Sequence, residues 1–370
     1  MRVRIQSAMV ASAAVALTVG LAACGSSSSG SSGSGSSKSS TASASTNGNL
    51  PSWCGKKKIT LAVADGFAAN NWRRITTAEA QDELKKCPNV TKFVHTDGQG
   101  DTQKAISDIE GLAAQGVNAI VIYPDAGKAL LPVLTKVTKA GVTTVPYWGD
   151  IGGQKGANYT DSLFIDWRKT GEDWARWIVK AIHGKGNWLY IGGTADNTQN
   201  LQRREGMLRI FKKYPNIHQI GPQPYAITNW DPAQHQKQLA AALARYPKID
   251  AITADFGGAM ASSLVAFDQA HRKIPAIASE DNNKLGCAAV DKKFPLFTTS
   301  TGNWIIRDAI HLAVAHATGG QVPAPQDAVE VPFEDSLTGK PNKPECDRSL
   351  SGDANLSSHL THAQLKAAIK

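Results

Sequence analysis

Three tryptophans (Trp72, Trp148, Trp304), four aspartates (Asp65, Asp150, Asp255, Asp281) and Arg203 share a place in the pattern of the chain. Each falls where an apolar, strand-like run stops or a helix starts. In open parallel sheets such points line one edge, beyond the carboxyl ends of the strands, where ligands sit. The side-chain types suit one task. Indole rings cover apolar CH faces, and carboxylates and amides make paired hydrogen bonds with a rim of hydroxyls. Each desolvated charge-assisted bond contributes about 1.5–3 kcal/mol. A single Trp here is most simply core, and a single Asn such as Asn71 most simply a helix cap. The recurrence of Trp and Asp along one edge favours a pocket for a small polyhydroxylated molecule. Residues 49–370 contain no Gly-x-Ser-x-Gly elbow, Walker loop, Gly-x-Gly-x-x-Gly turn or His-Glu-x-x-His pair. A glycosidase carboxylate pair has no short motif, so it stays as the enzymatic alternative.

The elements that must position these residues alternate. Residues 59–64 form an apolar run that ends at Asp65-Gly66, and a helix begins near Asn70 or Asn71. This is the first half of a βαβ unit, with Asp65, Phe67, Asn71 and Trp72 at its lip. Strands at 91–96, 118–123 and 142–147 alternate with helices at 102–115 and 129–140, and 162–165 reads as a crossing strand. A second run has strands at 187–191, 218–221, 251–254, 274–279 and 296–300. Between them lie helices at 200–213, 232–244 and 258–270, led by a stripe of Trp174, Trp177, Ile178, Ala181 and Ile182. A helix at 304–317, a strand near 329–333 and a last helix at 362–369 follow. Two α/β runs of similar order point to an α/β fold with two doubly wound parallel sheets.

With 370 residues, 42% hydrophobic and 19% charged, the chain has material for about two domains. Its net charge of +9 is scattered, with no basic run longer than Lys56-Lys57-Lys58, which argues against a nucleic-acid partner. Arg2 and Arg4 precede an apolar stretch ending in Leu21-Ala22-Ala23-Cys24-Gly25, the pattern of a secretory signal too short for an ordinary transmembrane span. Leu-Ala-Ala-Cys resembles the lipobox of bacterial lipoproteins, which makes residues 1–24 the signal and Cys24 the lipidated residue. Residues 25–48, almost all Ser, Gly, Ala and Thr, read as a flexible tether. Four further cysteines, Cys54, Cys87, Cys287 and Cys346, suggest two disulfides in an exported chain. The start of a strand and the end of the next helix share an edge, which favours Cys54–Cys87 and, by elimination, Cys287–Cys346; the other pairings stay open. Without a Cys-x-x-Cys pair, no metal site is expected.

The ordered set of pieces resembles the type I periplasmic binding proteins of the ribose-binding kind, the solute receptors of bacterial sugar ABC importers. The resemblance covers roughly residues 57–320. It rests on Asn70-Asn71-Trp72-Arg73, on residues 108–124 and 140–146, on Arg203-Arg204-Glu205-Gly206 after the Gly192-Gly193 turn, and on Ile277-Ala278-Ser279-Glu280-Asp281. It implies two lobes joined by a hinge of crossing segments: residues 54–162 plus 303–332, and residues 163–302 plus 333–370. It carries ligand contacts onto Asn71 and Trp72, onto Asp166 or Trp167, onto Arg203 and Asp255, onto Glu280 or Asp281, and onto 301–303 with Asn303. At 147–150 this chain has Tyr-Trp-Gly-Asp where the family usually has Asp-Arg, so Trp148 and Asp150 are the contacts expected there.

The resemblance implies an exported, lipid-anchored monomer on the outer face of the plasma membrane. It binds a sugar or polyol, docks on an ABC permease, and needs no cofactor, metal or catalysis. Alternative ligands are a nucleoside, a furanone signal or an amino acid. The alternative role is a sensor that presents its ligand to a membrane kinase.

Overall fold

The computed structural model describes residues 50–68, 70–325 and 328–370. Cys24, with the signal and tether read from the sequence, lies outside the described residues. In chain order the elements are β1 (Ile59–Asp65), α1 (Asn71–Leu84), β2 (Val90–Asp97), α2 (Thr102–Ala114), β3 (Ala119–Tyr123), α3 (Leu131–Lys139), β4 (Thr143–Trp148) and β5 (Leu163–Phe164). Next come α4 (Trp167–Ala181), β6 (Gly186–Gly192), α5 (Thr198–Phe211), β7 (Ile217–Ile220), β8 (Ala226–Ile227), α6 (Pro232–Arg245) and β9 (Ala251–Ala254). They are followed by α7 (Gly257–Ser263), α8 (Val265–Gln269), β10 (Ala276–Glu280), α9 (Asn283–Lys292) and β11 (Leu296–Thr299). The chain ends with α10 (Ile305–Thr318), β12 (Pro332–Asp335) and α11 (His362–Ala368).

The first sheet has the order β2-β1-β3-β4-β5, all parallel, and the second β12-β11-β10-β9-β6-β7, with β8 beside β6 and only β12 antiparallel. Both are doubly wound, with the order switching between β1 and β3 and again between β6 and β9. Parallel strands covered on both faces read as continuous apolar runs, and six of the seven residues of β1 are buried. Separate apolar cores lie on the two faces of each sheet. The helix expected over 258–270 is broken at Leu264 into α7 and α8, and α9, absent from the sequence reading, fills the segment after β10.

The chain passes between the lobes after β5, after β11 and before β12. Ile165 and Ala328 form a β-bridge where two passages meet. Helix α10 closes the first sheet, and Arg307 on it reaches Glu79, Asp82 and Glu83 of α1. The disulfides are Cys54–Cys87, with Cα atoms 5.5 Å apart, and Cys287–Cys346, at 4.4 Å.

The tail does not stay with the second lobe as expected. Cys346 pins it to α9, and Asn283 exchanges hydrogen bonds with Asp347 and Ser351. It then crosses to the first lobe. Ser358 and the His359 amide donate to Glu79, Gln364 donates to Asp82, and Leu360 and Leu365 pack on Ile75 of α1. Residues 336–370 therefore form a strap from one lobe to the other, because the apolar residues of this polar tail match the outer face of α1.

One buried group makes folding pH-dependent. His235 on α6 meets Ser263 at 2.9 Å, and burial depresses its pKa from 6.5 to about 4. The unfolded chain therefore binds more protons as the pH falls below 6.5, so this contribution is complete above 6.5 and lost as the pH approaches 4. The loss reaches about 3 kcal/mol. Denaturant titrations of His235→Gln between pH 7 and 4 should show a shallower fall in stability than the unaltered chain; parallel curves would contradict it.

Candidate functional site

The carboxyl ends of both sheets carry ionised and aromatic side chains, and the sequence sets each by local means. In the first lobe β1 stops at the buried Asp65, and Asn70 caps α1 by accepting from the Arg73 amide at 2.9 Å. That cap starts the helix so that Arg73 lies back over the strand ends. Its Nη1 donates to Asp65 at 3.0 Å and its Nη2 to both oxygens of Asp125 at 2.8 and 3.0 Å, while its Cζ lies 3.1 Å from the centre of the Tyr123 ring. Trp72 stands edge-on to Trp148 at 4.8 Å and to Tyr123 at 5.7 Å, and its Nε1 donates to the Thr301 carbonyl at 3.0 Å. Trp148 ends β4 with φ +77°, a left-handed conformation costing about 1–3 kcal/mol for a bulky residue. Its ring fills the space a side chain at Gly302 would need: a Cβ there would come within 2.7 Å of it.

In the second lobe Asn197 caps α5, which brings Asn200 and Arg203 over the sheet. Helices α4 and α5 touch through Gly171 and Gly206; a Cβ on either would lie about 2 Å from the backbone carbonyl of Arg203 or Arg168. This close approach sinks Arg203 to 0% exposure. Its Nη2 reaches Glu280 at 2.5 Å and Glu330 at 2.6 and 2.7 Å, and its Cζ lies 4.9 Å from the Trp174 ring. Gln199 also donates to Glu280. Asp255, at the end of β9, accepts from Asn200 at 2.6 Å and from Trp230 at 2.8 Å.

Burial opposes ionisation throughout. It works against the charge of Arg203, but Glu330 and Glu280 outweigh it and hold the proton. Burial raises Glu280 well above the usual carboxylate range, with repulsion from Glu330 and Asp255 added and Arg203 opposing; Asp255 is raised by the same cause. In the first lobe burial, opposed by Arg73, lifts Asp125 to about 6. Tyr123 is pushed up by burial, with Arg73 opposing and Asp125, Asp65 and Glu280 adding to the rise. Among the described residues, Arg203 Nε and Nη1 and Trp167 Nε1 are buried donors without a partner. Such groups are expensive to leave unmet. No group of residues suited to a metal ion occurs among the described residues.

Of the residues expected from the sequence, Asp65, Trp72 and Trp148 lie together at the strand ends of the first lobe, and Arg203 and Asp255 at those of the second. Six do not. Asn71 turns outward and donates to Asp353 of the strap. Asp150 is exposed and holds the Gly152 amide, and Asp166 is an exposed cap on α4. Asp281 is buried but points at the strap, where its carboxylate accepts the Ser357 amide at 2.7 Å. Asn303 sits behind Trp72, donating to its carbonyl and to Thr76. Trp304 stacks on His359 of the strap at 4.9 Å. Arg73, Tyr123, Asp125, Gln199, Asn200, Trp230 and Glu330 were not singled out from the sequence. Tyr123-Pro124-Asp125 stops β3 as Asp65-Gly66 stops β1, which is a signal for two of them; Glu330 has none.

Comparison with known proteins places this geometry in context. A family model described as "Periplasmic binding protein domain" matches residues 62–321. The galactofuranose-binding protein YtfQ of Escherichia coli (strain K12) is 26% identical over 166 residues, covering 45% of this chain and 52% of that protein. A xylitol-binding protein of Mycolicibacterium smegmatis is 23% identical over 240 residues, covering 65% and 66%. The chain thus spans half to two thirds of the length of these relatives. A crystal structure from Mycobacterium smegmatis, in complex with β-D-fucofuranose, superposes with a TM-score of 0.66 at 21% identity, covering 76% of this chain and 93% of that one. At that identity the likeness speaks for the fold.

Proposed function

The chain belongs to the family of periplasmic binding protein domains, and we propose that it is the extracytoplasmic solute receptor of an ABC importer, binding a monosaccharide or related polyol between its lobes. The observation that carries this is the matching pair of buried ion clusters at the strand ends, Arg73 with Asp65 and Asp125 in one lobe and Arg203 with Glu280 and Glu330 in the other, with Trp72 and Trp148 packed beside the first. Indole edges and rings take the CH face, carboxylates take hydroxyl protons, and the guanidinium supplies a hydrogen bond to a ring or hydroxyl oxygen. The receptor performs no chemistry. Lobe closure about the crossing segments gives affinity, and the closed form docks on a permease. The galactofuranose and xylitol named for two relatives support a neutral sugar or polyol as the first candidates.

A thermal-shift screen of residues 49–370 against monosaccharides, polyols, nucleosides and amino acids tests the reading. A ligand at a hundredfold excess over its Kd adds about 2.7 kcal/mol to the folded state, which raises the melting temperature by roughly 5–10 °C. A shift confined to nucleosides or amino acids would replace the sugar, and a flat panel would remove the receptor reading.

We also propose export and anchoring through Cys24, on the strength of Leu21-Ala22-Ala23-Cys24 behind a basic and apolar leader. Cys24→Ser should then release the protein from membranes; a variant that still fractionates with lipid excludes this anchor. No helix among the described residues is long and apolar enough to cross a membrane.

A further inference from the structure

The two disulfides sit in unlike surroundings. Cys54 and Cys87 are buried, at 8% and 0% exposure, and the chain between them, with β1 and α1, belongs to the first lobe. Cys287 and Cys346 are half-buried at the surface. The chain between them leaves the second lobe after β11, forms α10 in the first and returns as β12. This crosslink therefore joins α9 to the strap and closes a loop that runs through both lobes. Cys346 also lines an open groove of about 620 Å³, walled by Leu350, Leu356, Leu360 and Leu365. Leu360 and Leu365 are the foot on which the strap stands against Ile75 of α1. The groove gives solvent a route to this disulfide in the folded chain, a route that the buried Cys54–Cys87 lacks.

We propose that Cys287–Cys346 is a reversible redox site, opened by a dithiol, whose opening loosens the strap. One thiolate of the dithiol attacks Cys346 Sγ through the groove. The bond to Cys287 breaks, and Cys287 Sγ leaves with the electron pair and takes up a proton. The second thiol of the dithiol then displaces Cys346 from the mixed disulfide. The dithiol ends as a disulfide, and two electrons and two protons have passed to the pair of cysteines. The rate of such exchange depends on access to the sulfur that is attacked, which favours this bond over Cys54–Cys87. Once it is open, the second lobe holds the strap by contacts alone. Asn283 keeps its hydrogen bonds to Asp347 and Ser351, the Ser357 amide keeps Asp281, and Arg348 keeps Asp291 at 2.7 Å. Both members of the last pair are exposed, and such surface pairs contribute little. The stretch around Arg348, two residues from Cys346, is therefore where the strap loosens first. This site is independent of what the receptor binds.

The test uses the folded full chain without denaturant, with any free thiol first blocked by N-ethylmaleimide. Dithiothreitol or reduced thioredoxin is added, new thiols are mapped by iodoacetamide labelling and mass spectrometry, and trypsin cleavage after Arg348 is followed in parallel. Cys287 and Cys346 should be labelled about tenfold or more faster than Cys54 and Cys87. Cleavage after Arg348 should rise about tenfold with that labelling, and both changes should revert on reoxidation. Thioredoxin lacking its second active-site cysteine should be trapped on Cys346. Labelling of all four cysteines together, or of Cys54 and Cys87 first, overturns the redox site. Selective labelling with cleavage unchanged overturns the loosening of the strap, and capture on Cys287 overturns the attack through the groove.

Discussion

Arg203→Met is expected to unfold the second lobe more readily than any other single change at the site and to abolish ligand binding. Methionine keeps the apolar stem against Trp174 but leaves Glu280 and Glu330 facing each other without a counterion. Removing one member of a buried ion pair costs about 3–5 kcal/mol, or roughly 6–20 °C in melting temperature for a domain of this size. The pH dependence identifies the cause. The stranded carboxylates take up protons in the folded state, which then binds more protons than the unfolded chain, so the variant should regain stability as the pH falls from 8 to 5. A loss of under 1 kcal/mol, or a loss equal at pH 5 and pH 8, would show that Arg203 does not hold these acids.

The double change Cys287→Ser, Cys346→Ser should cost about 4 kcal/mol, the loop-closure value for a crosslink of this sequence separation; the two cysteines are 59 residues apart. Reduction of the unaltered chain should cost more, because it also opens Cys54–Cys87. The strap should also become the first segment cut by protease, because non-covalent contacts alone, such as those of Leu360 and Leu365 and the stacking of His359 on Trp304, would then hold it. Equal stability by denaturant titration, with an uncut strap, would mean that those contacts suffice alone.

The architecture was legible because parallel strands buried on both faces leave unbroken apolar runs, as at 59–64 and 118–123, and because amphipathic stretches alternate with them, the first beginning at the Asn70 cap. The site was legible only in part, because strand parity decides which of two neighbours faces the cleft. At the end of β10 Glu280 meets Arg203 while Asp281 meets the strap, and sequence distinguishes such neighbours only when the register is known. At the start of α4 the exposed Asp166 caps the helix and the buried Trp167 turns inward for the same reason. Asn71, Asp281 and Trp304 were misplaced by one cause: each is occupied by the strap, and nothing local announces that a polar tail will return across both lobes. Glu330 falls in the strand expected near 329–333 but lies before β12 in a passage between lobes, so its pairing with Arg203 was visible only in three dimensions.

The strap has a consequence for ligand exchange over time. Because residues 336–370 grip α9 and α1 at once, parting the lobes must stretch this clasp or strip Leu360 and Leu365 from Ile75. The proposed open form is therefore expected to be scarce, which would lower the apparent association rate in proportion to the open fraction. A bound molecule is held for correspondingly longer. Such a receptor is expected to act as a slow, retentive store at low solute concentration rather than a rapidly cycling carrier. In stopped-flow measurements of intrinsic tryptophan fluorescence, a chain ending at Gly339 with Cys287→Ser should both load and release its ligand faster than the full-length protein.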